Sequence, residues 1–238
     1  MHALHKVLQA FASPQSFRQA LPDVWAGFQV NIKMMFLAEA IVLVLALLVA
    51  IVRGLPGRQA SPLRGLMIVY TDVFRGTPLI LVAFLVGFGL PGLQLRVISS
   101  QSNFVYGVTA LVLVYTAYVT EVYRAGIDSV HPSQRAAARS LGLSYFQALR
   151  YVVIPQAVRR VIPPLLNDFV GLQKDTALIT VIGVAEAAQQ AQNYSSTYYN
   201  FTSYVVAAVF FIFMTIPLAR FTDHLIAIRE RRERAHAG

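Results

Sequence analysis

Phe104 to Val122 reads F-V-Y-G-V-T-A-L-V-L-V-Y-T-A-Y-V-T-E-V, and it overlaps a longer tract, Val97 to Thr120, in which no side chain is charged. A helix needs about 20 mostly apolar residues to cross the hydrocarbon core of a bilayer, and this stretch meets that length. The pattern recurs along the chain: Ala187 to Ala219 is also free of charge. Of 238 residues 56% are hydrophobic and 13% charged, and mean hydropathy is +0.57. A soluble domain carries about a quarter charged residues. The sequence therefore predicts an all-α polytopic membrane protein with about five transmembrane helices, at about 28–52, 66–90, 104–122, 163–185 and 204–225. The fourth is the weakest, because Asp168, Lys174 and Asp175 fall inside it. No fixed-period repeat or low-complexity linker divides the chain, so 1–238 reads as one domain.

The 20 Lys and Arg against 11 Asp and Glu give a formal +9. In a soluble chain that excess would point to nucleic acid; here its placement points to membrane orientation, since cytoplasmic loops are enriched in Lys and Arg. Arg53, Arg58 and Arg64 follow the first span, while Arg96 stands alone between the second and third. Arg124, Arg135, Arg139, Arg150, Arg159 and Arg160 lie between the third and fourth, and no Lys or Arg lies between Lys174 and Arg220. Arg229, Arg231, Arg232 and Arg234 then form a basic tail that reads as a solvated, headgroup-facing end. The first, third and last connections are thus expected inside and the N-terminus outside, with Lys6 and Arg18 mildly opposing that placement. With no cysteine, a disulfide framework, a thiolate nucleophile and a zinc–thiolate site are excluded. Met1 to Leu21 lacks the apolar core and small-residue cleavage site of a secretory signal, so insertion is expected to use the spans themselves.

The connection at 123–162 is long for a compact bundle and is expected to be structured. It reads as two short helices. The first runs from Ser133 to Leu141 after Pro132, and Gly142 can end it in the left-handed conformation. The second starts at Ser144, with Gln147 three positions on as its reciprocal capping partner, and Pro155 stops or kinks it. Such a pair, presenting Arg135, Arg139 and Arg150, is either a docking knob or a plain link between spans.

From Glu121 the chain runs E-V-Y-R-A-G-I-D-S-V-H-P-S-Q-R-A-A-A-R-S-L-G-L-S-Y-F-Q-A-L-R-Y-V-V-I-P-Q-A-V-R-R-V-I-P-P. This resembles the permease subunit of bacterial ABC importers, in the polar amino acid branch. The signature of that family is Glu-Ala-Ala, three residues, Gly, nine residues, then Ile-x-Leu-Pro. Ala136, Ala137 and Ala138 occupy the first block, Gly142 the glycine, and Val152, Ile154 and Pro155 the end. The likeness extends to Arg75-Gly76-Thr77-Pro78-Leu79 and to Lys174-Asp175-Thr176-Ala177-Leu178, and so from about Gly27 onward. It implies that Ser133, Gln134, Ala136, Ala137, Ala138, Arg139, Leu141, Gly142 and Pro155 form the coupling loop that fits a cleft on an ATP-binding subunit. It further implies a second permease chain, an extracytoplasmic binding protein, and the bacterial inner membrane as location. The chain has no G-x-x-x-x-G-K-[ST] phosphate cradle, so ATP and Mg are expected on the partner and no cofactor on this chain. One departure stands out: Ala136 replaces the family's glutamate. If Ser133 caps the first helix, the residue that would reach back to it is missing, a loss of about 1 kcal/mol.

Ionisable residues within spans are costly and face partners or an aqueous path. Lys174 and Asp175, followed by Thr176 and preceded by Pro163-Pro164, suggest a helix irregular in its cytoplasmic half. They read either as a pair that neutralises itself between helices or as a ligand site. The resemblance raises substrate binding to equal standing with the ion pair, with the Lys174 ammonium on the cargo carboxylate and Asp175 either on its amino group or orienting the lysine. Asp168 is expected to point elsewhere. Arg75 and Thr77, beside the break at Pro78, are the second candidate pair, with Asp72–Arg75 as an ordinary i,i+3 ion pair the plainer reading. Glu121–Arg124 has the same spacing and reads as structural, and Glu39 has no partner near in sequence. Tyr194, Tyr198, Tyr199 and Phe201 read as an interfacial belt on the outer side. The histidines His2, His5, His131, His224 and His236 lie outside the spans and no hydrolase motif occurs, so an enzyme is disfavoured. The alternative is a scaffold whose loop binds a protein while nothing crosses the bilayer.

Overall fold

The computed structural model describes residues 2–55 and 57–235, with only the backbone at 2–4, 145–146 and 229–235. Every regular element among them is helical. In chain order these are α1 (His2–Phe11), α2 (Pro14–Arg53), α3 (Ser61–Gly76), α4 (Leu79–Gly92), α5 (Asn103–Asp128), α6 (Pro132–Ser140), α7 (Tyr145–Ala148), α8 (Ile154–Asp175), α9 (Ala187–Tyr198) and α10 (Thr202–Ala235). A π turn, Leu149–Val153, leads into α8, and a 3-10 helix, Thr176–Ile182, follows it.

The longest helix shows how local signals set the frame. Ser13, in extended conformation, accepts from the Ser16 amide at 3.3 Å and Pro14 takes the first helical position, where a missing N–H costs nothing. Gly54 closes the helix, donating to Ala50 O at 3.1 Å. Between them Ala38, Val42, Ala46 and Ala50 recur every four residues, all buried. This flat stripe lets α5 approach closely, and Thr120 Oγ1 donates across it to Ala46 O at 3.4 Å. Leu111, Met34, Met35, Leu172 and Ile179 fill the centre where α2, α5, α8 and the 3-10 helix meet. In a bilayer such packing supplies the association energy, because lipid tails are as apolar as the side chains. The outward faces stay apolar: Val44 is 59% exposed and Phe213 80%, which suits lipid.

Three stretches are long and apolar enough to cross a membrane, His5–Arg53, Asn103–Asp128 and Thr202–Ile228, and a fourth arises if α3 and α4, bent by 107°, count as one. The stretches expected at 28–52, 104–122 and 204–225 are therefore parts of longer helices. The segment 66–90 is broken at Thr77-Pro78 rather than straight. Thr77 is forced extended by the following proline (φ −101°, ψ 126°), so the helix ends one residue earlier.

The segment 163–185 departs most from expectation. It is not one regular α-helix: α8 starts at Ile154, runs through Pro163-Pro164 without interruption, and gives way after Asp175 to the 3-10 turn, which Gly183 ends at φ 78°. The irregularity sits at the far end of the helix from the prolines. Two adjacent prolines remove only the amide bonds to the Arg159 and Arg160 carbonyls, and Arg160 and Pro164 line an open cavity.

In the 123–162 connection the left-handed turn at Gly142 (φ 85°) is present. So is the reciprocal cap: Ser144 N donates to Gln147 Oε1 at 2.8 Å and Gln147 N to Ser144 Oγ at 3.2 Å. The first helix, however, is capped by His131, whose Nδ1 accepts from Ser133 N at 3.2 Å, and not by Ser133. Pro132 at the first helical position fixes that start. The third helical position is then Gln134, so Ala136 costs no capping partner. Pro155 opens α8 instead of stopping the helix before it.

Candidate functional site

A cavity of about 480 Å³ opens between α3, α5 and α8, with Arg75, Tyr118, Glu121, Arg160, Pro164 and Asp168 among its walls. Each polar wall is set by a local device. Arg75 occupies the last turn of α3, and the Tyr118 hydroxyl donates to its otherwise free carbonyl at 3.3 Å. Glu121 collects guanidinium groups from three helices: Arg53 pairs with it directly, Arg124 Nη1 stands at 3.8 Å and Arg75 Nη1 at 4.0 Å. Arg53, whose side chain is 7% exposed, also donates to Thr71 Oγ1 at 2.8 Å. The expected Asp72–Arg75 pair does not form; Asp72 is exposed, where an ion pair is worth little, and Arg75 turns to the half-buried Glu121. The structural reading of Glu121–Arg124 holds, though Arg53 is the nearer partner. Thr77 turns back on its own helix, donating to Val73 O at 2.8 Å.

Asp168, expected to point elsewhere, lies in the cavity wall with a buried Oδ2 that has no partner among the described residues. Glu39 has a buried, unpartnered Oε2 of the same kind in an adjoining groove walled by Phe36, Leu43, Leu165 and Phe169. Both side chains are partly buried, where an orphaned polar atom is expensive and marks a candidate site.

The residues at 174–176 do not gather into this cavity. Lys174 is exposed and no described carboxylate pairs with it. Asp175 accepts from the Tyr115 hydroxyl at 2.8 Å. Thr176 is fully buried, accepting from Asn31 Nδ2 at 3.0 Å and donating to Gln173 O at 2.7 Å. Asn31 continues to Glu186 Oε2 at 2.9 Å, and Glu186 caps α9 through the amides of Ala188 and Gln189. Nothing local in the sequence marks the Asn31–Glu186 pair, 155 positions apart, although Glu186 is the only charged residue between Asp175 and Arg220.

At the opposite end of α8 the helix pair protrudes. Leu141 is 84% exposed, and Ser133, Gln134, Ala136, Ala137, Arg139 and Gly142 share the open surface, whereas Ala138 is buried and anchors α6. Of the aromatic belt, Tyr198, Tyr199 and Phe201 are exposed, but Tyr194 is packed inside with its hydroxyl donating to Gln19 Oε1 at 2.9 Å. The side chains of the basic tail at Arg229, Arg231, Arg232 and Arg234, and those of His2 and His236, lie outside the described residues.

Residues 43–234 match the family model for the binding-protein-dependent transport system inner membrane component. The chain is 38% identical over 166 residues to a probable glutamine ABC transporter permease protein of Bacillus subtilis, covering 69% of this chain and 75% of that one. An arginine transport system permease protein of the same organism is 30% identical over 204 residues, 84% of this chain and 89% of its own. Among solved structures, the crystal structure of an amino acid ABC transporter with histidines superposes with a TM-score of 0.81 at 34% identity, covering 92% of this chain and 97% of that one. Family match, relatives and architecture agree: this chain belongs to the binding-protein-dependent transport system inner membrane components, as a multi-pass ABC transporter permease subunit.

Proposed function

We propose that this permease carries a polar amino acid inward, as half of a dimer of permease chains, and that the cavity between α3, α5 and α8 is part of its path. The observation that supports the path is the pairing of opposite charges across one aqueous space: the Arg75 guanidinium on one wall and the unpartnered Asp168 carboxyl on the other. A free amino acid carries a carboxylate and an ammonium, and the two walls offer a partner to each. Lys174 is exposed and stands apart, so it is the second cation rather than the first.

Energy comes from a separate ABC ATP-binding subunit that holds ATP and Mg and grips the protruding α6–α7 pair at Arg139, Leu141 and Gly142. An extracytoplasmic binding protein delivers the cargo. The N-terminus lies outside and the C-terminus inside, which places the α6–α7 pair on the ATPase side. The relatives with glutamine and arginine in their names support an amino acid as cargo. Reconstitution of the full complex into liposomes tests this reading. Uptake should require ATP, the ATPase and the binding protein together, and Arg75→Gln and Asp168→Asn should each weaken cargo affinity by about tenfold or more. Flux by the isolated chain, or wild-type affinity in either variant, overturns it. Binding of the ATPase without flux would favour a scaffold.

A further inference from the structure

Glu121 is over-subscribed. One carboxylate faces three guanidinium groups, and they are not held alike. Arg53 is the closest and the most buried, and Thr71 ties it a second time. Arg124 is a neighbour on the same helix at 3.8 Å. Arg75 is the loosest: it sits at 4.0 Å, its side chain is 44% exposed, and the helix ends one residue later at Gly76, before Thr77-Pro78. Its guanidinium therefore faces the cavity with only a distant counter-ion, while Arg53 neutralises most of that counter-ion's charge.

Resting on the cavity reading above, we infer that Glu121 is a built-in competitor for the cargo: it holds Arg75 between cycles, yields it to the arriving carboxylate, and takes it back on release. The exchange swaps one carboxylate for another on the same guanidinium, so at neither end of the swap is Arg75 left without an anionic partner. A transport site must bind well enough to load and weakly enough to empty, and a resident anion within reach of the binding cation meets both demands. Glu121 is thus a positioning residue for release. Asp168, on the opposite wall, has no equivalent resident partner among the described residues, so the ammonium side of the cargo is not displaced in this way.

The test uses the intact complex with its ATPase and binding protein. It is screened first with labelled L-glutamine, L-glutamate, L-arginine and L-histidine, and then followed with whichever is transported. Glu121→Gln keeps an acceptor for Arg53 and removes the competing charge. Retention of the labelled amino acid by the detergent-solubilised complex should rise about tenfold, while maximal uptake rate falls by a similar factor. Glu121→Asp shortens the reach to Arg75 and keeps the charge, and about a threefold change in the same direction is expected. Thr71→Val, which loosens Arg53 without altering charge, should leave retention unchanged. Retention within twofold of wild type in Glu121→Gln, or weakened binding parallel to that of Arg75→Gln, overturns the proposal, as does an equal effect from Thr71→Val. If Glu121→Gln fails to assemble, Glu121→Asp decides alone by the same twofold criterion. An Arg75→Gln variant with unchanged affinity sinks the cavity reading and this inference together, whereas an impaired Arg75→Gln beside a neutral Glu121→Gln sinks the inference only.

Discussion

The two ends of α8 are built on opposite terms. At the Asp175 end three neighbouring side chains bind three different helices: Gln173 accepts from Thr215 of α10 at 2.6 Å, Asp175 from Tyr115 of α5 at 2.8 Å, and Thr176 from Asn31 of α2 at 3.0 Å. At the Ile154 end the ties are mostly apolar: Val130, Val153 and Ala157 cluster, Val161 packs against Gly126 of α5, and one bond runs from Arg160 to Ser129 O. The lesson is one of division of labour: polar bonds to three helices fix one end, while apolar packing and a single bond hold the other.

That contrast can be broken at its loose end first. Gly142 holds the turn between α6 and α7 at φ 85°, in open space. Gly142→Asp adds both left-handed strain and a charge to the docking surface, and should abolish ATPase stimulation and uptake while leaving membrane insertion intact. Normal uptake by that variant would remove the loop from the coupling path. The tied end is probed by Glu186→Ala, which deletes the cap of α9 and removes one of the two acceptors of the buried Asn31 amide. Thermal or denaturant unfolding in detergent should show a loss of about 3 kcal/mol. A loss below about 1 kcal/mol would mean that this knot does not hold the end. A smaller change sharpens the same point. A Cβ at Gly27 would stand 2.7 Å from the Glu186 carbonyl carbon and oxygen, so Gly27→Ala must push α2 away from the start of α9. We expect about 2 kcal/mol in the same assay, with cargo affinity at the distant cavity unchanged.

What the sequence discloses follows the distance over which each interaction acts. The Ser144–Gln147 cap and the Gly142 turn are legible because both partners lie within three or four residues. The apolar tracts are legible because length alone identifies them. Long-range choices are not. Arg75 has an acid three residues away in Asp72 and nevertheless turns to Glu121, because a half-buried carboxylate on a neighbouring helix attracts it more than an exposed one on its own. The spacing of Asp168 from Lys174 points it away from a site, yet its surroundings come from α3 and α5. The twin prolines at 163 and 164 look like a break and are absorbed, while the real change of helix type follows Asp175, where side-chain bonds to α2 and α5 replace the regular ladder.

The unequal anchoring of α8 has a mechanical consequence. Its 22 residues form a rod of about 33 Å, tied by polar bonds to three helices at one tip and held mainly by apolar packing at the other. Swinging such a rod by about 5° about the polar-bonded tip carries the other tip through about 3 Å, comparable to a side-chain contact, while the polar-bonded tip hardly shifts. A pull delivered through the protruding helices would then be felt mainly at the inner wall of the cavity.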